Sequence, residues 1–271
     1  RPEDRARASM PSDTCAQMLA AARLYDRLQS LGYWEQLHCP RPLGYRPAFH
    51  PVQEVGSACE AWVHRGAQFV LGRVLGGGMH GLEWSAGSST RFYLLHLAGL
   101  HSVEHDPAWA AIVERQIRSE LPRALTAAWR FDYVAANASF RGGRGAFDAY
   151  VHVPLQRTKY DFVSVDGRAR GRCLERVRVE RLVKRGGIVM LDNSKRAKYA
   201  AARAAFDRMG WARVEFDSTA RSTHANGSVR HRPVPDVATT LWCRGAEGGR
   251  EGGRKGGGDQ GVGMRHTVVL K

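Results

Sequence analysis

"HGLEWSAGSSTRFYLL", residues 80–95, decides the fold. Its first half is a short apolar run, the pattern of a strand. Its second half has the apolar spacing of a helix. Between them lie Glu83, a single glycine at Gly87, and four hydroxyls at Ser85, Ser88, Ser89 and Thr90. A strand that turns into a helix through small polar residues is either a cradle for a nucleotide-like ligand or only a corner. The segments around it decide between the two.

Downstream, short apolar runs alternate with helical patterns. The spacing predicts strands at 81–85, 100–104, 131–136, 160–165, 186–191, 213–217 and 238–243. Helices are predicted at 89–98, 107–121, 169–184 and 195–209. Asp106-Pro107 is a strong helix start, because Asp caps the first turn and Pro at the first position has no N–H to leave unpaired. Strands separated by helices of this length imply βαβ units and a parallel sheet covered on both faces. The connection at 137–158 has no readable pattern.

Upstream, residues 12–31 read as an amphipathic helix ended by Gly32, residues 33–55 as an irregular Pro- and Gly-rich segment, and residues 57–75 as a second helix stopped by Gly76-Gly77-Gly78. At the other end, ten of the nineteen positions from 245 to 263 are Gly. That composition cannot bury enough apolar surface to offset ordering entropy. The organisation is therefore a helical and irregular extension at 1–56, an α/β domain at 57–243, and a Gly-rich flexible tail at 244–271. The closing "HTVVLK" could also return as an edge strand, but the tail reading is preferred.

The chain has 271 residues and 43% apolar content, enough for one large domain with a sizeable core. No apolar run is long enough to span a membrane, so the chain reads as soluble. It begins at Arg1, so a targeting segment ahead of it would not be visible. A net charge of +15 raises nucleic acid as a partner. Only six of the 41 basic residues are Lys, and the Arg residues are scattered through most of the chain, which favours a merely basic surface over a nucleic-acid site. Cys15, Cys39, Cys59, Cys173 and Cys243 form no C-x-x-C pair and no zinc-like cluster, so no metal is expected. Cys173 and Cys243 fall in a helix and a strand, where buried free thiols are usual. A Cys39–Cys59 bridge is an open alternative.

In an open parallel sheet, ligands bind at the carboxyl ends of the strands near the switch in strand order. The polar residues there are Glu83, Ser85, Gly87 and Ser89 after the first strand, Glu104, His105 and Asp106 after the second, Asp166 and Gly167 after the fourth, and Asp192, Asn193 and Ser194 after the fifth. An acid at the second strand end can accept hydrogen bonds from both ribose hydroxyls. A dinucleotide also needs the G-x-G-x-x-G turn, so that backbone N–H groups can approach the pyrophosphate. Here that turn has one Gly. S-adenosylmethionine has no pyrophosphate, and its sulfonium and ammonium favour an acidic turn such as that at Glu83. The single-glycine turn therefore favours the sulfonium cofactor over NAD.

"LEWSAGSST", "SVEHDPAW", "YDFVSVDGRARGRC" and "GGIVMLDNSKRAKY" occur in that order, and together they resemble the successive motifs of the class I S-adenosylmethionine-dependent methyltransferase superfamily. The resemblance covers roughly residues 57–243. It implies an α/β fold, a seven-stranded, mostly parallel, doubly wound sheet of order 3-2-1-4-5-7-6 whose seventh strand is antiparallel, here behind an N-terminal helical extension. It implies transfer of a methyl group from S-adenosylmethionine to an acceptor the sequence does not identify. By the same resemblance Glu83, Ser85, Gly87 and Ser89 form the cofactor turn, Glu104 holds the ribose, His105 flanks the adenine, and Asp166 lies near the methionine portion. Ser85 and Ser89 stand where family members commonly have glycine.

Each residue also has a plainer reading. Asp166 and Asp192 are the candidate catalytic acids, and Asp192 could take a proton from the acceptor. Both could equally be helix caps. Arg168, Arg170 and Arg172 could face an anionic acceptor or a solvated helix face, and Tyr150 and Tyr199 could line the acceptor pocket or fill core. Two rival functions remain: a methyltransferase-like interaction or assembly module without catalysis, and a basic nucleic-acid-binding protein. No oligomeric state can be read from the sequence.

Overall fold

The computed structural model describes residues 13–30, 63–137, 144–217, 219–223, 229–233, 238–245 and 267–270. Helix α1 (Thr14–Ser30) and helix α2 (Arg65–Val74) precede strand β1 (His80–Trp84). Then come α3 (Ser88–His96), β2 (Gly99–Glu104), α4 (Pro107–Glu120), a short α5 (Arg123–Thr126) and β3 (Trp129–Tyr133). Past a 3-10 turn and the short α6 (Asp148–Val151) lie β4 (Tyr160–Val165), α7 (Arg170–Val179) and β5 (Val183–Asp192). The series closes with α8 (Ala200–Asp207), β6 (Ala212–Phe216), the hairpin β7 (Thr219–Thr223) and β8 (Val229–Pro233), β9 (Thr239–Cys243) and β10 (Thr267–Leu270).

The main sheet runs β10-β6-β9-β5-β4-β1-β2-β3. Only β9 is antiparallel to its neighbours. With the β7–β8 hairpin set aside, β9 is the seventh strand, and the order is the 3-2-1-4-5-7-6 of the class I methyltransferase fold, lengthened by one edge strand. The chain reverses direction along the sheet between β1 and β4, the switch point at which open α/β sheets form ligand clefts.

Central strands bury both faces. Leu82, Trp84, Val163, Val165, Val189 and Leu191 pack under α7 and α8. Phe162, Ile188, Met190 and Leu100 face the opposite way, under α1, α2 and α3. This is why "YDFVSV" and "GGIVML" read as continuous apolar runs rather than as alternation.

The predicted helix at 169–184 ends at Val179. Arg181 takes a left-handed conformation, φ 52°, and the Leu182 N–H donates to Val177 O, which closes the helix without the glycine that usually marks such an end. Strand β5 accordingly starts at Val183 rather than 186, and a register shift opposite Tyr160–Phe162 is taken up at Gly186, φ 78°. The helix predicted at 57–75 begins at Arg65, where the His64 ring nitrogen accepts the Gly66 N–H; residues 57–62 lie outside the described residues, as do 33–55. The helix predicted at 195–209 is a 3-10 turn at Ala197–Tyr199 followed by α8. Of the closing stretch assigned to the tail, Thr267–Leu270 pairs in parallel with β6 as the edge strand, where its β-branched residues meet an open row of backbone groups. The β7–β8 hairpin has no counterpart among the strands that the sequence predicts.

Cys15 on α1 and Cys243 on β9 form a disulfide, which corrects the expectation that Cys243 is a free thiol; Cys173 is free and buried. The bond ties α1 onto the sheet across 228 residues of sequence. The Cys39–Cys59 alternative falls outside the described residues. Among the described residues no helix is long and apolar enough to cross a membrane.

Candidate functional site

Glu83 sits in β1 directly between Ser102 on β2 and Ser164 on β4. Ser102 donates to its Oε1 at 2.5 Å and Thr90 at 2.6 Å. Thr90 also accepts the Gly87 N–H at 2.8 Å, so the carboxyl holds the start of α3 through one hydroxyl. Glu83 is 1% exposed, and its Oε2 has no hydrogen-bond partner among the described residues. Burial, aided by Glu104 and only partly opposed by the two hydroxyls, pushes it from 4.5 up to about 8. It is therefore a neutral acid at pH 7, lying beneath the turn rather than on its surface.

The turn above it holds a serine in a backbone conformation that suits glycine. Ser85 has φ 93°, a conformation that glycine adopts freely and other residues rarely do. Its N–H donates to Val103 O at 2.8 Å, which extends the parallel pairing of β1 with β2 one residue past Trp84.

Glu104, at the end of β2, is 1% exposed and accepts three backbone N–H groups, from Ala86 at 3.1 Å, His105 at 2.7 Å and Asp106 at 2.9 Å. The His105 ring nitrogen Nδ1 lies 2.7 Å from the same carboxylate. Burial alone would raise this acid, but His105 and the three N–H groups hold it below its ordinary value. Glu104 thus ties the β1 turn to the β2 turn. Asp106 caps α4 through the Trp109 N–H, and the Trp109 indole reaches back to Ala86 O at 2.7 Å.

Asp166 and Asp192, at the ends of β4 and β5, share Arg170. The guanidinium lies 2.8 Å from Asp166, 3.5 Å from the Asp192 carboxylate and 2.9 Å from Asn193 Oδ1. Thr239 donates to Asp192 at 2.8 Å. Burial and the neighbouring Asp192 push Asp166 well above the usual carboxylate range, with Arg170 opposing. Burial likewise raises Asp192 against the pull of Arg170. Both acids therefore keep their protons to higher pH than isolated carboxyls do.

Two adjoining clefts open at these strand ends. One, of about 270 Å³, runs along the turn and is lined by Ser85, Gly87, Ser89, Trp109, Asp166 and Arg170, among others. The other, of about 450 Å³, shares Ser85, Asp166 and Arg170 with it and extends past His105 and Tyr199. Of the sequence-predicted site residues, Ser85, Gly87, Ser89, His105 and Asp166 therefore come together around one opening. Glu83, Glu104 and Asp192 lie behind it, each supporting a residue that lines it or the turn that bounds it. Tyr199 lines the larger cleft. Tyr150 is fully buried core, with its hydroxyl unpartnered among the described residues and facing Gly167. The sequence assigns no role to Trp109 or Thr90, and for Arg170 it offers an anionic acceptor or a solvated helix face rather than a brace between Asp166 and Asp192. The closeness of "EHDPAW" and "SST" to the turn was the available signal for the first two.

No family model matches the sequence, and no curated protein does. Among solved structures, the chain is similar to a precorrin-6Y C5,15-methyltransferase from Geobacter metallireducens, at 12% identity over 63% of this chain and 82% of that one, with a TM-score of 0.42. A tRNA (m1A58) methyltransferase from Aquifex aeolicus gives 15%, 64%, 65% and 0.41 in the same order. An O-methyltransferase from Streptomyces achromogenes, solved with S-adenosylmethionine, gives 14%, 62%, 74% and 0.39.

Proposed function

We propose that this chain binds S-adenosylmethionine and transfers its methyl group to an acceptor seated beside it. The observation that carries the reading is the convergence of Ser85, Gly87, Ser89 and Asp166 on paired clefts at the switch point of a 3-2-1-4-5-7-6 sheet.

The residues present fit the cofactor. Gly167, which lines the larger cleft, lets the chain pass close over the core, since a Cβ there would meet the Tyr150 hydroxyl at 2.1 Å and Trp84 O at 3.1 Å. The unpartnered Tyr150 hydroxyl beneath it is a polar group in want of a partner. Ser85, Gly87 and Ser89 would hold the polar end of the ligand along the turn, with His105 and Trp109 against its rings. When bound, the cofactor supplies a methyl carbon already activated by its sulfonium, so the protein chiefly has to position the two partners and exclude water. Asp166 is the one carboxylate among the residues lining the clefts, where burial and the neighbouring Asp192 raise its affinity for a proton and Arg170 opposes them. Asp192 acts through Arg170, as a positioning residue.

A second reading is favoured by one observation. The Glu104 carboxylate, expected to hold the ribose, already accepts three backbone N–H groups and is 1% exposed. A methyltransferase-like interaction module without catalysis would need no ribose acceptor. Calorimetry separates the two: S-adenosylmethionine should bind the parent and bind Asp166→Asn and Glu104→Ala about tenfold or more weakly. Absence of heat with the parent, under conditions where it is folded, would remove the cofactor reading and leave the interaction module.

A further inference from the structure

The geometry points to an acceptor that is a small anion, carrying a phosphate or carboxylate group held in the larger cleft by Arg168 and Lys198. This inference rests on the methyltransferase reading, since it assigns the chemistry of the second cleft of that site.

The larger cleft is lined by five cations, Arg168, Arg170, Arg172, Arg196 and Lys198, against the single carboxylate Asp166. Three come from the short run 168–172 that leads from β4 into α7, and two from the segment after β5, so the fold joins two basic stretches that are separate in the sequence. Arg170 and Arg172 are in ion pairs within the fold. Arg170 balances Asp166 and Asp192, and Arg172 pairs with Asp148. Arg168 and Lys198 are exposed and, among the described residues, are in no ion pair. The N-terminus of the ten-residue α7, where Ala169 gives no side-chain cap, opens at the same mouth. Tyr199 provides an apolar wall between Arg170, 5.8 Å from its ring, and the Lys198 ammonium, 5.1 Å from it.

A solvated arginine face needs no cavity, whereas here the cations border one of about 450 Å³, the size that encloses a small molecule rather than a track for a polymer. An excess of positive charge next to the place of a sulfonium is unfavourable unless the acceptor brings negative charge with it. The arrangement therefore selects an acceptor with an anionic head and a body that packs on Tyr199.

The test uses the full chain and four probes: inorganic pyrophosphate, citrate, a short single-stranded oligonucleotide and S-adenosylhomocysteine. Pyrophosphate or citrate should bind the parent, the stronger of the two telling phosphate from carboxylate. Arg168→Ala/Lys198→Ala should weaken that binding at least about tenfold. Arg115→Ala/Arg208→Ala, which removes the same charge at exposed sites outside the cleft, should change it less than about twofold. Affinity for S-adenosylhomocysteine should be unchanged in both. Equal losses in the two double variants, or no loss in the first, would overturn the proposal. So would a parallel loss of S-adenosylhomocysteine, which would mean that the cations hold the cofactor, and so would a cleft-specific loss seen only with the oligonucleotide. If S-adenosylhomocysteine fails to bind the parent while the cleft-specific loss of pyrophosphate persists, the methyltransferase reading falls and the anion site stands.

Discussion

Replacing Glu83 by Gln tests the core of the site without any ligand. Glu83 is 1% exposed and titrates near 8 in the fold, against 4.5 for an ordinary glutamate. Between those values the native state holds a proton that the unfolded chain releases. Stability therefore falls as pH rises from 4.5 to about 8, and is highest, for this group, below 4.5. Each pH unit in the window is worth about 1.4 kcal/mol, so the parent should lose roughly 3 kcal/mol between pH 5 and pH 8 relative to Glu83→Gln. Gln keeps the shape of the neutral acid and can still accept from Ser102 and Thr90. Any fixed cost of the amide is the same at every pH and cancels in the comparison. Urea unfolding of both proteins at pH 5, 6, 7 and 8 gives the difference directly. A difference that stays flat within about 0.5 kcal/mol would refute the assignment of Glu83 as a buried neutral acid.

Four further outcomes follow from the same contacts. Ser85→Gly should stabilise the protein by about 1 kcal/mol in thermal or chemical unfolding, because it relieves a residue at φ 93°. Gly167→Ala should destabilise by about 1–3 kcal/mol and reduce affinity for S-adenosylhomocysteine, because the new methyl meets the Tyr150 hydroxyl and Trp84 O. Asp106→Ala should cost about 1 kcal/mol through the lost cap of α4, read as a lower urea midpoint. Reducing the Cys15–Cys243 disulfide, or replacing both residues by Ser, should lower stability by roughly 2–5 kcal/mol, since the bond closes a loop of 228 residues.

The parts of the fold legible in the sequence are those whose physics is local. Buried parallel strands show as unbroken apolar runs, as in "YDFVSV" and "GGIVML", and Asp106-Pro107 announces α4 by its cap. The strand order followed from the succession of motifs by resemblance, not from periodicity. What stayed hidden depends on partners distant along the chain or on backbone geometry. The disulfide joins residues 228 apart, and nothing near either cysteine signals the other. Helix α7 ends at an arginine in a left-handed turn, where a glycine would have given the end away. "TARST" and "VRHRP" lack the apolar alternation of a half-buried hairpin.

The site divides along the same line. Sequence brought Ser85, Gly87, Ser89, His105 and Asp166 to one place, because the carboxyl ends of strands are fixed by topology. It could not tell lining residues from bracing ones. Glu83 and Glu104 differ from Asp166 only in which backbone and hydroxyl groups close over them, and those come from three different strands and turns.

The most direct test of the central claim is a crystal structure of the full chain grown with S-adenosylhomocysteine. The ligand should lie in the clefts along Ser85–Ser89, with Asp166 and His105 in contact and the larger cleft open beside its sulfur. A folded protein with those clefts empty at saturating ligand, or with the ligand bound elsewhere, would contradict it.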